Sequence, residues 1–227
     1  MTNNKKLLLR AAVAAAVAAA CVSAQAQSAG TWMFSGGVTH IAPNTSSGTL
    51  SPPAPPNTTV DIGSDTQPTL AVGRMLTDNW SVEVPIGFGF KHSITGTGGI
   101  AGVGEIGTVK ALPISVFAQY RFLEPAARFR PYVMLGLTYA YFYDEAGSAT
   151  LNALNPINPP GGTKLSVDSK FALTPGLGLT ARVADKWYID LQYARSFLKT
   201  RTTLSSGQHI DTKLNPDVYR LSVGYLY

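Results

Sequence analysis

Cysteine is almost missing from this 227-residue chain: Cys21 is the single one, and only 14% of the residues carry a charge. One thiol excludes an intramolecular disulfide, so stability has to come from packing and hydrogen bonding. Beyond Val22 no stretch approaches the roughly 18 uninterrupted apolar residues of a membrane helix, which excludes a later helical span. A basic patch is missing as well. Three of the 18 lysines and arginines (Lys5, Lys6 and Arg10) sit at the extreme N-terminus, leaving 15 against 13 acidic residues, a net +2. That balance argues against nucleic acid as a partner, which calls for a basic stripe or patch.

What is present points first to export. Lys5, Lys6 and Arg10 accompany an apolar run from Leu7 to Val22, and Ala24-Gln25-Ala26 follows. A basic start, an apolar stretch and a small-x-small site make a secretory signal peptide over residues 1–26, cleaved after Ala26. The alternative, Cys21 as a lipoprotein cysteine, fits less well, because Ala18 stands where leucine is usual and the Ala24/Ala26 site lies just downstream. Removing 26 of the 227 residues leaves 201, residues 27–227, enough for one domain that then holds no cysteine.

The last nine residues place Tyr219, Leu221, Val223, Tyr225 and Tyr227 on one side of an extended strand and Arg220, Ser222, Gly224 and Leu226 on the other. A helical reading scatters these aromatics around the axis. Period-two alternation ending on an aromatic residue is the closing strand of an outer-membrane barrel, with one side to lipid and the other to the lumen; the alternative is the edge strand of a soluble sheet. The same alternation runs from Trp80 to Lys91, with Phe88 and Phe90 on the lipid face and Lys91 inward, from Phe129 to Tyr143, and from Trp187 to Ala194. Weaker versions at 32–41, 67–76, 109–122 and 169–183 complete eight strands. Short turns (Thr77-Asp78-Asn79, 123–128, Ala184-Asp185-Lys186) alternate with long loops (43–64, 92–107, 144–164, 200–209). The expectation is all-β: an eight-stranded antiparallel transmembrane up-and-down β-barrel in the bacterial outer membrane, with periplasmic turns and extracellular loops. Pro52-Pro53-Ala54-Pro55-Pro56 reads as an extended, mobile part of the first loop. Aromatic residues mark two heights, as expected at membrane–water boundaries. Trp32, Trp80, Tyr120, Phe122, Phe129, Trp187 and Tyr227 lie at the short-turn end, and Phe88, Phe90, Tyr139, Tyr141, Tyr143 and Phe197 at the other.

With that topology, Thr77-Asp78-Asn79, Phe90-Lys91-His92-x-Ile94, Ala118-Gln119-Tyr120, Phe129-Arg130-Pro131-Tyr132-Val133 and Leu214-Asn215-Pro216 leading into Gly224-Tyr225 are similar to segments of the OmpW family of small outer-membrane proteins. The resemblance covers most of the mature chain. It implies an eight-stranded barrel, a narrow apolar lumen, and passage of small hydrophobic molecules. Three departures stand out: Arg220 points inward where an apolar residue is common, Asp217 stands where an aromatic is usual, and the last residue is Tyr227 rather than phenylalanine. An inward arginine argues against a wholly apolar passage.

Alternation turns Glu83, Arg121, Arg130, Arg182, Asp190 and Arg220 inward, the first five near the short-turn end and Arg220 closer to mid-height. Buried charges must pair, so the set reads as a salt-bridged plug or as a gate. Pro85, Phe117, Met134 and Phe142 also face inward and line an apolar pocket higher up, or simply pack. Pro68, Pro85, Pro113 and Pro175 remove ladder donors and weaken the wall for a sideways exit. A lipid-modifying enzyme is a competing class, with His40, His92, His209, Ser205, Ser206 and Asp211 near the loops, but no nucleophile elbow or metal-ligand spacing appears, so neither catalytic nor cofactor residues are assigned. A structural or surface-interaction barrel is the third. Expected partners are outer-membrane lipids, lipopolysaccharide phosphates at Lys164, Lys170, Lys199, Arg201 and Lys213, a small hydrophobic solute, and the barrel assembly machinery through the C-terminal strand.

Overall fold

The computed structural model describes residues 27–155, 157 and 161–227. The expected signal peptide, with Cys21 and the Ala24-Gln25-Ala26 site, lies outside the described residues. The elements are β1 (Trp32–Ala42), β2 (Ser46–Ser47), β3 (Thr58–Ile62), β4 (Asp65–Met75), β5 (Trp80–Gly87), β6 (Phe90–Gly98), β7 (Glu105–Arg121), β8 (Phe129–Gly147), α1 (Ala149–Leu154), β9 (Leu165–Val167), β10 (Lys170–Arg182), β11 (Trp187–Arg195), β12 (Lys199–Leu204), β13 (His209–Lys213) and β14 (Asp217–Leu226). Eight of them, β1, β4, β5, β7, β8, β10, β11 and β14, pair antiparallel in that order around a ring. Pairing of β1 with β14, from Met33 opposite Leu226 to Ala42 opposite Asp217, seals it. Closure removes the free edges that lipid would punish. Among the described residues no helix is long and apolar enough to cross a membrane; here the strands do so.

Alternation sets the two faces. Leu70, Val84, Ile114, Leu135, Leu173, Leu191 and Leu221 are exposed outward, while Ser81, Gln119, Arg130, Thr174, Asp190 and Arg220 are buried inward. Rings cluster at the short-turn end, where Trp80 and Phe122 both meet Tyr120 edge-on at 5.2 Å, and Trp187 meets Tyr225 at 5.2 Å. At the loop end Tyr139 meets Phe171 at 4.8 Å and Tyr193 meets Tyr219 at 5.3 Å. The sequence reading had omitted Phe171, Tyr193 and Tyr219 from that upper belt.

Two expectations need correction. The alternation from Trp80 to Lys91 is not one strand: β5 ends at Gly87 and β6 begins at Phe90. Across the break the faces exchange, so Phe88 is 73% exposed whereas Phe90 is 2% exposed and Lys91 points out. Gly89 permits the crossing, since a Cβ there would run into the Tyr143 hydroxyl. The long loops are also not plain loops. β12 and β13 form a hairpin inside a four-stranded sheet with β2 and β9, and β3 pairs with β6. Ile94, Ile100, Ile106, Leu151, Leu165, Leu204 and Leu214 pack beneath these elements as a roof core. The proline segment is folded into the roof rather than extended: Leu50 N–H donates to the Thr58 carbonyl at 2.9 Å, Thr58 N–H to the Pro55 carbonyl at 3.3 Å, and Ser51 N–H to the His209 carbonyl at 3.0 Å.

Candidate functional site

The periplasmic half of the lumen is filled. Arg121 and Arg130 are 2% and 1% exposed, so every donor of each guanidinium needs an acceptor. Arg121 donates to Ser81 Oγ at 3.1 Å, Gln119 Oε1 at 2.7 Å and Thr180 Oγ1 at 2.7 Å, and lies 4.5 Å from the centre of the Tyr132 ring. Arg130 donates to the carbonyls of Gln27 at 2.7 Å and Asp78 at 2.6 Å, tying the segment before β1 to the first short turn. Asp190 accepts from the Tyr132 hydroxyl at 2.8 Å and from Thr180 at 2.7 Å. Glycine makes room for this layer: a Cβ on Gly178 or Gly224 would collide with the ring of Tyr132 or Tyr188. Among the described residues the interior holds one ion pair, Arg220 Nη1 to Glu83 Oε1 at 3.2 Å. The plug is therefore held chiefly by hydrogen bonds to neutral oxygens rather than by salt bridges. Arg182 sits at its periplasmic edge: it is half-buried, lines a small cavity with Gln27, Arg130 and Thr180, and donates to the Ala126 carbonyl at 2.5 Å.

Above the plug a chamber of about 210 Å³ opens toward the loops. Pro85, Phe117, Met134 and Phe142 all line it, as alternation had predicted. Of the six charged residues only Arg220 reaches it, at the floor, where Nη2 donates to Ser35 Oγ at 2.6 Å and Gln192 donates to Glu83 at 2.8 Å. Loopward of Phe117 and Met134 the chamber is lined by a collar of hydroxyls that the sequence analysis does not identify. Ser115, Thr138, Thr174 and Ser196 form a chain with steps of 2.8, 2.9 and 2.9 Å, and Thr39 meets Thr69 at 2.7 Å. Their only sequence signal is small hydroxyl residues at inward positions.

The wall beside the chamber is open on one side. Pairs between β5 and β7 run from Trp80 opposite Tyr120 to Glu83 opposite Phe117, then stop. Pairing with β7 resumes in β6, at Phe90 opposite Ala111. Residues 84–89 and 112–116 thus face each other without a ladder. Ile86 and Phe88 are exposed outward and also line the chamber, as do Pro85, Leu112 and Pro113. Pro85 stays opposite Ala71 in the β4 ladder and Pro113 opposite Ala140 in the β8 ladder. Proline keeps to positions whose nitrogen faces away from a ladder, which puts both missing donors on the gap side. Pro68 stands one residue beyond the last β4–β5 pair, Thr69 opposite Gly87. Pro175 lies in an unbroken β8–β10 ladder, while on its other side the β10–β11 ladder begins only at Gly176 and the next bridge is Leu173 opposite Phe197, so its missing donor falls in a short break flanked by bridges.

The loop-side histidines and serines do not assemble into a relay. Asp211 binds Arg201 through two bonds of 2.8 and 2.9 Å, Ser206 donates to Gln208, and His40 meets Thr66. Of the rim cations, Lys170 pairs with Asp168 at 3.2 Å, Arg201 is taken by Asp211, and Lys199 faces Lys213 across the β12–β13 ladder. His92 lies in β6, above the membrane-facing band, and lines the chamber with Nδ1 2.7 Å from the Gly63 carbonyl. Nδ1 therefore carries the proton. Burial pushes the imidazole below its ordinary value, outweighing the Gly63 carbonyl and the Asp65 carboxylate, which favour the cation. The fold holds the neutral ring, so its contribution is complete above about pH 6.5 and is lost as pH falls from there through the folded value. Amide protection in β3 and β6, measured relative to the intrinsic exchange rate at each pH, is expected to fall as pH drops from about 7 to about 5, the range of histidine titration. A His92→Gln variant should lack this step, and unchanged exchange in the parent protein would refute it.

A closed sheet with apolar strands outside, aromatic belts at two heights and short turns opposite a folded roof defines a transmembrane barrel of the Gram-negative outer membrane. The OmpW family model matches residues 28–227, and the chain belongs to the OmpW family. Outer membrane protein W of Vibrio cholerae is 32% identical over 207 residues, covering 89% of this chain and 91% of that protein. Outer membrane protein AlkL of Ectopseudomonas oleovorans is 25% identical over 173 residues, 76% of this chain and 70% of that one. The crystal structure of OprG from Pseudomonas aeruginosa shares the fold with a TM-score of 0.79 at 23% identity, over 89% of this chain and 98% of that chain. None of these three is named as an enzyme.

Proposed function

We propose that the barrel admits small hydrophobic molecules from the loop side into the chamber and releases them sideways into the bilayer. The observation that carries this reading is the missing ladder between β5 and β7, beside an apolar chamber whose axial floor is occupied by Arg220, Glu83 and Gln192. A solute that meets a bonded polar floor but an unbonded apolar wall finds its lower barrier at the wall, because parting Ile86 and Phe88 from Leu112 and Ile114 breaks no backbone hydrogen bonds. Passage of hydrophobic molecules is also what resemblance to the family implies.

Liposomes containing the purified barrel are expected to take up a small apolar solute faster than protein-free liposomes. Ala172, buried against the chamber, offers the control: Ala172→Trp fills the space and should return uptake to the protein-free rate. Equal uptake with and without the parent barrel would leave the structural, non-transporting reading in its place.

A further inference from the structure

The chamber wall is mainly apolar but carries two sets of polar groups, the hydroxyl collar and, deeper in the lumen, Arg220, and these have donors to spare. Four hydroxyls, Ser115, Thr138, Thr174 and Ser196, share three mutual bonds, so one O–H of the four is left over. Thr39 and Thr69 share one bond, leaving a second. Each hydroxyl carries one proton, and no bond among the described residues consumes the extra two. Arg220, 4% exposed, adds a third: its Nη1 and Nη2 are bonded, but its buried Nε has no acceptor among the described residues. Buried donors left unmade are costly, so a set of them lining one cavity calls for an oxygen from elsewhere.

We infer that the solute suited to this chamber is an amphiphile: an apolar chain ending in an uncharged oxygen, such as a ketone, ester or alcohol, with the oxygen down on Arg220 and the chain running up past the Thr138–Thr174 collar. The chain lies against Phe117, Met134 and Phe142, which line the chamber. The head is uncharged because Glu83, 3.2 Å from Arg220, already neutralises the guanidinium, and a carboxylate placed there would face Glu83 as a second anion. This rests on the proposal that the chamber admits hydrophobic solutes, and narrows their class.

The test uses the barrel in lipid nanodiscs with n-octane, octan-2-one and octanoate as probes, followed by NMR of the Met134 methyl and the Arg220 Nε–H. Met134 reports occupancy of the chamber; Arg220 reports the head. Octan-2-one is expected to reach half-saturation of the Met134 shift at roughly tenfold lower concentration than n-octane, the worth of about one hydrogen bond, and alone of the two to move Arg220. The Arg220→Met/Glu83→Gln variant, which removes the donor together with its counter-charge, should bring octan-2-one to the n-octane value. Equal half-saturation with Arg220 silent overturns the inference, as does tighter binding of octanoate than of octan-2-one. Vesicle uptake of the same probes separates the two ideas. Uptake without preference sinks the head-group site alone, and binding with preference but no uptake sinks the transport reading alone.

Discussion

Replacing Arg220 by methionine is expected to lower the unfolding free energy by about 3–5 kcal/mol, the cost of leaving one member of a buried ion pair unpaired. Glu83 would remain 6% exposed with only the Gln192 amide to meet its charge. Pairing the change with Glu83→Gln removes that charge, and the double variant should recover most of the loss. Such recovery is the mark of a pair that costs more to break than to replace by neutral groups. Urea titration of barrels folded in lipid vesicles measures all four members of the cycle. A double variant as unstable as Arg220→Met would show that the arginine acts through packing alone.

The second large effect concerns the wall. Pro85→Val with Pro113→Val gives back two backbone N–H groups at the edges of the open seam between β5 and β7, in a residue that suits a strand. Two restored bonds at about 1 kcal/mol each favour the zipped wall by about 2 kcal/mol, or about 30-fold in the population that is parted. Solute uptake should fall by a similar factor while Met134 still reports a solute in the chamber. Pro175→Val is the control, because that residue lies in β10, away from the seam between β5 and β7, and its uptake should match the parent. Unaltered uptake in the Pro85/Pro113 variant would place the exit elsewhere.

Much of the barrel was legible along the chain. Residues 129–143 and 187–194 alternate cleanly, because a stave with lipid on one side and a filled lumen on the other tolerates charge only inward. Arg130, Asp190 and Arg220 were placed on the correct face on that ground. The reading failed at Phe90 for a physical reason: the upper lumen is itself apolar, so a phenylalanine is equally at home facing lipid or the chamber. Hydrophobic alternation cannot then tell which way a strand has turned. The roof reads as loops because its strands are short, between two and six residues in β2, β3, β9, β12 and β13, and, the β12–β13 hairpin apart, find their partners far along the chain.

The partners inside the lumen were less legible still. Glu83 and Arg220 are 137 residues apart, and alternation gives each a face but neither a height nor an angle. The same holds for the hydroxyl collar, whose four linked members come from three strands and the residue just past a fourth. Sequence by itself determined a closed outer-membrane sheet, its eight staves, which side of most of them meets lipid, and which end carries the short turns, because these follow from a two-residue period and turn chemistry that are local. The tertiary structure alone decided the chamber, its hydroxyl collar and the open seam beside it, since these depend on how far each stave is slid against the next when the ring closes.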